Sequence, residues 1–247
     1  MTSGKRQSRR RFLLGTAALA PSIAIERAQA QDAAREQPKE EDLALSAPSP
    51  ATPATADYKP GYFTPDEWRF VLAACDRLIP KDDIGPGAVE LGVPQYIDRQ
   101  LQTAYGDGGN WYMQGPFHDA APEFGYQSRL TPKEQYRLGI RAIDGHCRDQ
   151  FGKAFADLSA EQQDGILKDI EGGKIKSDDV PLATFFSTFL LKNTLEGYFG
   201  DPMYGGNKDM AAWKMIGYPG VRADFTDWVD KARRYPYGPV SIHGQRG

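Results

Sequence analysis

Three short motifs mark the starts of helices and constrain the fold more than any other feature of the sequence. Thr64–Glu67, Thr131–Glu134 and Ser159–Gln162 each place a hydroxyl residue three positions before a Glu or Gln, which is the pattern of a capping box. In the first two motifs, proline occupies the first helical position, where it favours helix initiation. Apolar residues at helical spacing follow each box, and no segment alternates convincingly with a period of two. The sequence therefore predicts an all-α protein.

Further helices are predicted from apolar spacing elsewhere in the chain. They lie at about residues 88–105, 181–199, 209–215 and 223–233. Pro94 can kink or split the first of these, because it lacks the amide hydrogen that an inner helical turn requires. Residues 106–129 have no periodicity and are predicted to form a long loop. We therefore expect a single irregular helical domain of about six to seven helices with long loops.

Residues 1–30 have the pattern of an export signal. A basic stretch is followed by an apolar segment, and Ala28 and Ala30 occupy the small-x-small positions of a signal-peptidase site. The residues that match a twin-arginine signal are Arg9, Arg10, Phe12 and Leu13. Leu14 stands where such signals usually have lysine, and the alternative is an ordinary Sec signal or a basic anchor. A twin-arginine signal indicates a protein that folds before export, with a cofactor of its own or with a partner that carries one.

Composition divides the chain into four parts. We interpret residues 1–30 as the signal peptide, 31–57 as a Pro- and Ala-rich linker or extended arm, 58–237 as the helical domain and 238–247 as a C-terminal tail. Without the signal, the mature chain has 24 basic and 32 acidic residues, a net charge of −8. This charge argues against nucleic acid and against an anionic membrane surface as direct partners, and we expect no membrane span in the mature chain.

Motifs for catalysis or for cofactor binding are missing from the sequence. The chain has three histidines and two cysteines, and His146 and Cys147 are adjacent, so they cannot face one site from a helix. It has no C-x-x-C-H haem motif, no cysteine cluster and no H-E-x-x-H motif. The glycine-rich residues 105–110 do not follow a strand, as a phosphate-binding loop would. We therefore predict no catalytic, cofactor-binding or metal-binding residue in this chain.

Two long and unusual blocks carry a family resemblance. Residues 62–101 include "IPKDDIGPGAVELGV", and residues 184–220 include "GYFGDPMYGGNKDMAAWKMIGYPG". The chain resembles the gluconate 2-dehydrogenase subunit 3 family, the small or gamma subunit of membrane-bound FAD-dependent dehydrogenases. The two blocks stand at either end of the domain, and the resemblance covers nearly all of it.

The resemblance implies a non-catalytic subunit of a periplasmic complex. A large subunit of the glucose–methanol–choline type would carry FAD and oxidise a sugar or a sugar acid. A multi-haem cytochrome c subunit would hold the complex at the inner membrane and pass electrons to quinone. The small subunit would use its signal to take the FAD subunit through the twin-arginine translocase and would stabilise it. These roles agree with an export signal on a chain that lacks a cofactor motif.

Three other interpretations remain open from the sequence. The chain could be a small exported enzyme that acts alone, although no catalytic constellation is evident. It could be a periplasmic ligand-binding protein whose pocket is the aromatic loop, or a maturation chaperone that leaves the FAD subunit after export. Activity of the isolated chain, binding of sugars, and co-purification with the FAD subunit would distinguish these interpretations.

The stretch Gly197–Gly220 is the predicted partner interface. It is dense in glycine, which allows close backbone approach, and in Tyr, Trp and Met, which offer large contact area. The alternative is that it is an internal corner that closes the last helices of the domain. The interface candidates are Asp201, Pro202, Tyr204, Gly205, Gly206, Asn207, Trp213 and Tyr218.

The two cysteines have different sequence contexts. Cys75 lies on an apolar helical stripe, so we expect a buried free thiol there. Cys147 lies among polar residues, so we expect it to be exposed and able to form a disulfide with the large subunit. An internal Cys75–Cys147 disulfide and two free thiols are the alternatives.

Overall fold

The structure, a computed structural model, describes residues 58–118, 121–222, 224–231 and 235–247. The predicted signal at 1–30 and linker at 31–57 lie outside the described residues. The described part is helical, without a named strand, and residues 220, 240 and 246 form only isolated bridges. The prediction of an all-α domain is confirmed.

The α-helices are separated by loops and by short 3-10 turns. They are α1 (Pro65–Leu78), α2 (Val93–Leu101), α3 (Pro132–Phe151), α4 (Ala160–Glu171), α5 (Leu182–Thr184), α6 (Lys192–Phe199) and α7 (Ala211–Ile216). A π-helical segment, Phe185–Leu191, joins α5 to α6, so the three form one continuous helical rod. The 3-10 turns are Pro122–Phe124, Phe155–Asp157, Pro202–Tyr204, Lys208–Met210 and Thr226–Trp228.

All three predicted capping boxes are present. The Thr131 amide donates to Glu134 Oε2 at 2.7 Å, and the Glu134 amide donates to Thr131 Oγ1 at 3.3 Å. The boxes that begin α1 and α4 have the same reciprocal bonds. Each box satisfies two amide groups that a helix start would otherwise leave without a partner.

The predicted helix at 88–105 is shorter than expected. Residues 88–92 form turns, and α2 begins only at Val93, after Gly92 in the left-handed conformation with φ of 76°. Pro94 lies in the first turn of α2, where its missing amide hydrogen has no cost, so it neither kinks nor splits the helix. The glycine-rich turns after Leu101 end α2.

The predicted helix at 223–233 is wrong. Residues 224–231 contain only the turn Thr226–Trp228, and Asp230 has a positive φ of 64°. Threonine, aspartate, valine and aromatic residues dominate this stretch, and all of them are weak helix formers. The aromatic rings pack instead on Tyr235 and Tyr237, with Trp228 5.3 and 6.0 Å from them.

The core lies where α3 and α2 pack against the rod. Gly139 of α3 contacts Phe185, and a Cβ at this glycine would lie 2.7 Å from the ring. The buried Tyr136 hydroxyl donates to the Phe189 carbonyl of the π-helical segment at 3.3 Å. Further along the rod, a Cβ at Gly197 of α6 would lie 2.7 Å from the ring of Tyr96 on α2. These contacts fix the end of α6, from which the predicted interface segment begins.

Candidate partner interface

Asp201 holds the backbone after α6 in place through two hydrogen bonds. One carboxylate oxygen accepts the Met203 amide at 3.0 Å and so caps the turn that follows α6. The other oxygen accepts the Ile242 amide at 2.8 Å. Because Asp201 is buried and both of its oxygens are bonded, it ties this segment to the C-terminal residues and does not present its charge to solvent.

Asn207 and Trp213 hold the middle of the segment from inside. The fully buried Asn207 side chain donates to the Gly200 carbonyl at 2.9 Å and accepts the Ala212 amide at 3.0 Å. The indole of Trp213 is 4% exposed and donates to the Phe199 carbonyl at 2.6 Å. Both residues join the beginning of α7 to the end of α6.

Two glycines let the backbone approach its neighbours. Gly205 has a φ of 100°, and a Cβ there would lie 2.4 Å from a guanidinium nitrogen of Arg99. A Cβ at Gly206 would lie 2.0 Å from the Gly197 carbonyl oxygen, which belongs to the backbone of α6. At Gly205 the positive φ disfavours a side chain, whereas at Gly206 a side chain would require the backbone of the segment to move.

An exposed apolar layer covers this inner scaffold. We use that name for Leu195, Phe199, Met203, Tyr204, Ile216 and Tyr218, which are between 39% and 56% exposed. The Tyr218 ring lies 5.1 Å from Trp213, which in turn is bonded to the Phe199 backbone. Leu195 is one helical turn before Phe199 on α6, so these two side chains lie on the same face of that helix.

The predicted interface residues therefore fall into two groups. The buried ones are Asp201, Gly205, Gly206, Asn207 and Trp213. Tyr204 and Tyr218 are 46% and 45% exposed, and Pro202 is half-buried. The buried residues close the last helices of the domain, whereas Pro202, Tyr204 and Tyr218 are accessible from outside. Contact with a partner stays a prediction for these three residues.

A family model described as gluconate 2-dehydrogenase subunit 3 matches residues 65–220. The chain belongs to the gluconate 2-dehydrogenase subunit 3 family. The predicted resemblance is confirmed, and a protein of this family is a subunit of an oxidoreductase complex. Comparison with curated proteins and with solved structures gave no match. The matched region extends from the start of α1 to Gly220, so it contains the whole exposed apolar layer.

Residues C-terminal to the matched region form hydrogen bonds with the segment that carries the exposed apolar layer. The Val221 amide donates to the Val240 carbonyl at 2.7 Å, and the Val240 amide donates to the Pro219 carbonyl at 3.2 Å. The bond from Ile242 to Asp201 adds a second attachment. Residues 238–247, the predicted C-terminal tail, therefore contact the segment that the family model matches.

Asp98 is an anchoring residue that the sequence analysis missed. It lies on α2 with no exposed surface, and it holds residues 58–63 against that helix. Its carboxylate accepts hydrogen bonds, at 2.7 to 3.1 Å, from the Tyr58 hydroxyl, from the Gln102 amide group and from the backbone amides of Gly61, Tyr62 and Phe63. Burial, with Asp98 beside the hydroxyl, raises the pKa of Tyr58 to about 12. One sequence signal could have indicated this role: Asp98 directly follows Ile97, which lies on the apolar stripe of the predicted helix.

The two cysteines are both free and both buried. Cys75 agrees with its prediction, and burial raises the pKa of its thiol to about 12. The expectation that Cys147 is exposed is wrong, because it continues the buried stripe of Ile140 and Ile143 on α3. Burial raises the pKa of this thiol to about 11, so little reactive thiolate forms at neutral pH. The two cysteines form no internal disulfide. A disulfide between Cys147 and a partner subunit is not expected, because the thiol is buried.

The described ranges contain neither a metal-binding cluster nor a membrane-spanning helix. Within them, no group of three or more His, Cys, Asp or Glu side chains is arranged to hold a metal ion. In the same residues, no helix has both the length and the apolar character needed to cross a membrane.

Proposed function

We propose that this chain is the non-catalytic small subunit of a periplasmic, membrane-bound, FAD-dependent dehydrogenase that oxidises a sugar or a sugar acid. The observation that carries the proposal is the exposed apolar layer, held on a buried scaffold within the family region. Aromatic residues and methionine are enriched at protein–protein interfaces, and the layer contains Phe199, Met203, Tyr204 and Tyr218. We infer that this layer docks on the FAD subunit.

The composition and rigidity of the layer favour a protein partner. Tyr204 and Tyr218 combine a large apolar ring with a polar hydroxyl, and such residues often supply most of the binding energy of an interface. The hydrogen bonds of Asp201, Asn207 and Trp213 fix the segment before any partner arrives. A preformed surface loses less conformational entropy on binding than a mobile loop does.

The chemistry of the complex would reside in the partners. Under this proposal, FAD in the large subunit accepts electrons from the substrate, and haem c in the cytochrome subunit passes them on. The part played by this chain is to bind and stabilise the FAD subunit and to take it through the twin-arginine translocase. The proposed location is the periplasm, at the inner membrane through the partner subunits.

The escort role predicts a loss of export when the twin arginines are changed. Replacing Arg9 and Arg10 together with lysine should leave both this chain and the FAD subunit in the cytoplasm, because the FAD subunit would have no other route. The measurement is the distribution of both proteins between cytoplasm and periplasm by immunoblotting. The matched control exchanges Lys5 for arginine and Arg6 for lysine, which keeps the charge and leaves the motif intact. Normal periplasmic levels of the FAD subunit in the twin-arginine variant would show that it does not depend on this chain.

A further inference from the structure

A cleft of about 460 Å³ lies between the start of α1, the end of α3 and the turn Phe155–Asp157. It is separate in sequence from the exposed apolar layer. Each of its three walls contributes one carboxylate and one cation to the lining. These pairs are Asp66 and Arg69 from α1, Asp144 and Arg148 from α3, and Asp157 and Lys153 from the connection that follows α3.

The ion pairs of the cleft leave several polar groups available. Arg69 pairs with Asp157, and an Arg148 guanidinium nitrogen lies 3.5 Å from Asp144, which is long for a hydrogen bond. Within the described residues, Asp66 and Lys153 form no salt bridge, and both are exposed. Hydrogen-bond donors and acceptors therefore both line the cleft, with no net charge among the six groups.

Asp144 is the carboxylate that would gain most from another hydrogen-bond donor. It is 7% exposed, and one of its oxygens accepts the Phe155 amide at 2.9 Å. Burial raises the pKa of this carboxyl, and nearby Asp66 and Asp157 add to the rise, while the Phe155 amide and Arg148 oppose it. The second oxygen has only the distant guanidinium of Arg148.

Small residues complete the lining, with one aromatic ring behind them. Gly152, Ala154 and Ala156 keep side-chain bulk out of the cleft. Phe70 lies behind the lining and is only 1% exposed, with its ring 4.9 Å from that of Phe155. The cleft thus combines a polar rim with a volume within the usual range of small-molecule sites.

We propose that this cleft binds a polyhydroxylated ligand, a sugar or a sugar acid. A hydroxyl group both donates and accepts hydrogen bonds, so neighbouring hydroxyls match a rim that carries both carboxylates and cations. The three carboxylates and three cations balance, so the rim gives no preference for a simple anion. The proposal rests on the proposed function only for the choice between sugars and other polyols.

Titration calorimetry on the purified full-length chain tests the cleft without the partner subunits. Glucose, gluconate and sorbitol should each bind with a Kd of about 1 mM or lower, whereas propionate, a carboxylate without hydroxyls, should not bind. Arg148→Gln and Asp66→Asn should each weaken binding at least about tenfold, because each removes a charged hydrogen-bonding group from the rim. The control is Arg141→Gln, which breaks the exposed ion pair with Asp179 outside the cleft and should leave binding unchanged.

Three results would overturn the proposal. They are no binding of the three polyhydroxylated compounds, equal binding by wild type and both cleft variants, and propionate binding as tight as that of gluconate. Thermal unfolding of each variant shows whether it is folded, and the exposure of Asp66 and Arg148 favours intact folding. Association with the FAD subunit is measured separately, so a failure of the cleft proposal is distinguishable from a failure of the proposed function.

Discussion

Replacing Asp98 with alanine is expected to lower the free energy of unfolding by about 4 kcal/mol. The change removes an acceptor that serves five donors, and it leaves the backbone amides of Gly61, Tyr62 and Phe63 without that partner. Asp98 itself has no exposed surface, so the change leaves a gap between residues 61–63 and α2. The loss should detach residues 58–63 from α2 and expose the Trp68 face of α1, on which the Tyr58 ring packs at 5.5 Å.

Urea unfolding followed by circular dichroism measures this effect. Asp98→Asn should have a smaller effect, since one amide oxygen can still accept hydrogen bonds. The control is Asp107→Ala, which removes an exposed carboxylate paired with Lys133 and should change stability by less than about 1 kcal/mol. An Asp98→Ala protein as stable as the control variant would show that the carboxylate does not anchor the segment.

Replacing Gly206 with alanine is expected to destabilise the domain by about 3 kcal/mol or more. The new methyl group would lie 2.0 Å from the Gly197 carbonyl oxygen and 2.8 Å from its carbonyl carbon. Both atoms belong to the backbone of α6, so no side-chain rotation relieves the contact. The segment must move away from the rod, which would also disturb the exposed apolar layer.

The control for Gly206 is a glycine with free space around it. Gly145 lies within α3, and a Cβ there would meet no atom within 4 Å. Gly145→Ala should therefore stabilise the protein by about 0.5–1 kcal/mol, because alanine favours the helix. Differential scanning calorimetry of both variants should give shifts of opposite sign. A Gly206→Ala protein with an unchanged melting temperature would contradict the close backbone contact.

Local sequence signals predicted the helices that begin at capping boxes. Each box acts through residues three positions apart, so no distant contact is needed to recognise it. The start of α2 at Val93 and the turn at Thr226–Trp228 depend on tertiary packing, and apolar spacing alone misplaced both. The π-helical segment Phe185–Leu191 has no comparable local signal.

The sequence predicted where the candidate interface lies in the chain. It did not predict the division of that segment into a buried scaffold and an exposed apolar layer. The density of glycine and aromatic residues identified Gly197–Gly220, because both types are visible in the sequence. The burial of Trp213 depends on its bond to Phe199, and that of Asp201 depends on Ile242, 41 positions away. The expectation for Cys147 was wrong since it used the polar neighbours in sequence, which a helix directs to other faces.

The proposed docking of the exposed apolar layer on the FAD subunit is tested most directly by affinity purification of the tagged chain from cells that produce that subunit. We predict that the wild-type chain retains the FAD subunit in a stable complex. Tyr204→Ser with Tyr218→Ser should weaken the complex by about 2 kcal/mol or more, roughly thirtyfold, while the chain stays folded. The control is Tyr112→Ser, a tyrosine that is 78% exposed in the long loop, which should have no effect. Recovery of the FAD subunit at the wild-type level with the double variant, or no recovery with the wild-type chain, would contradict the account.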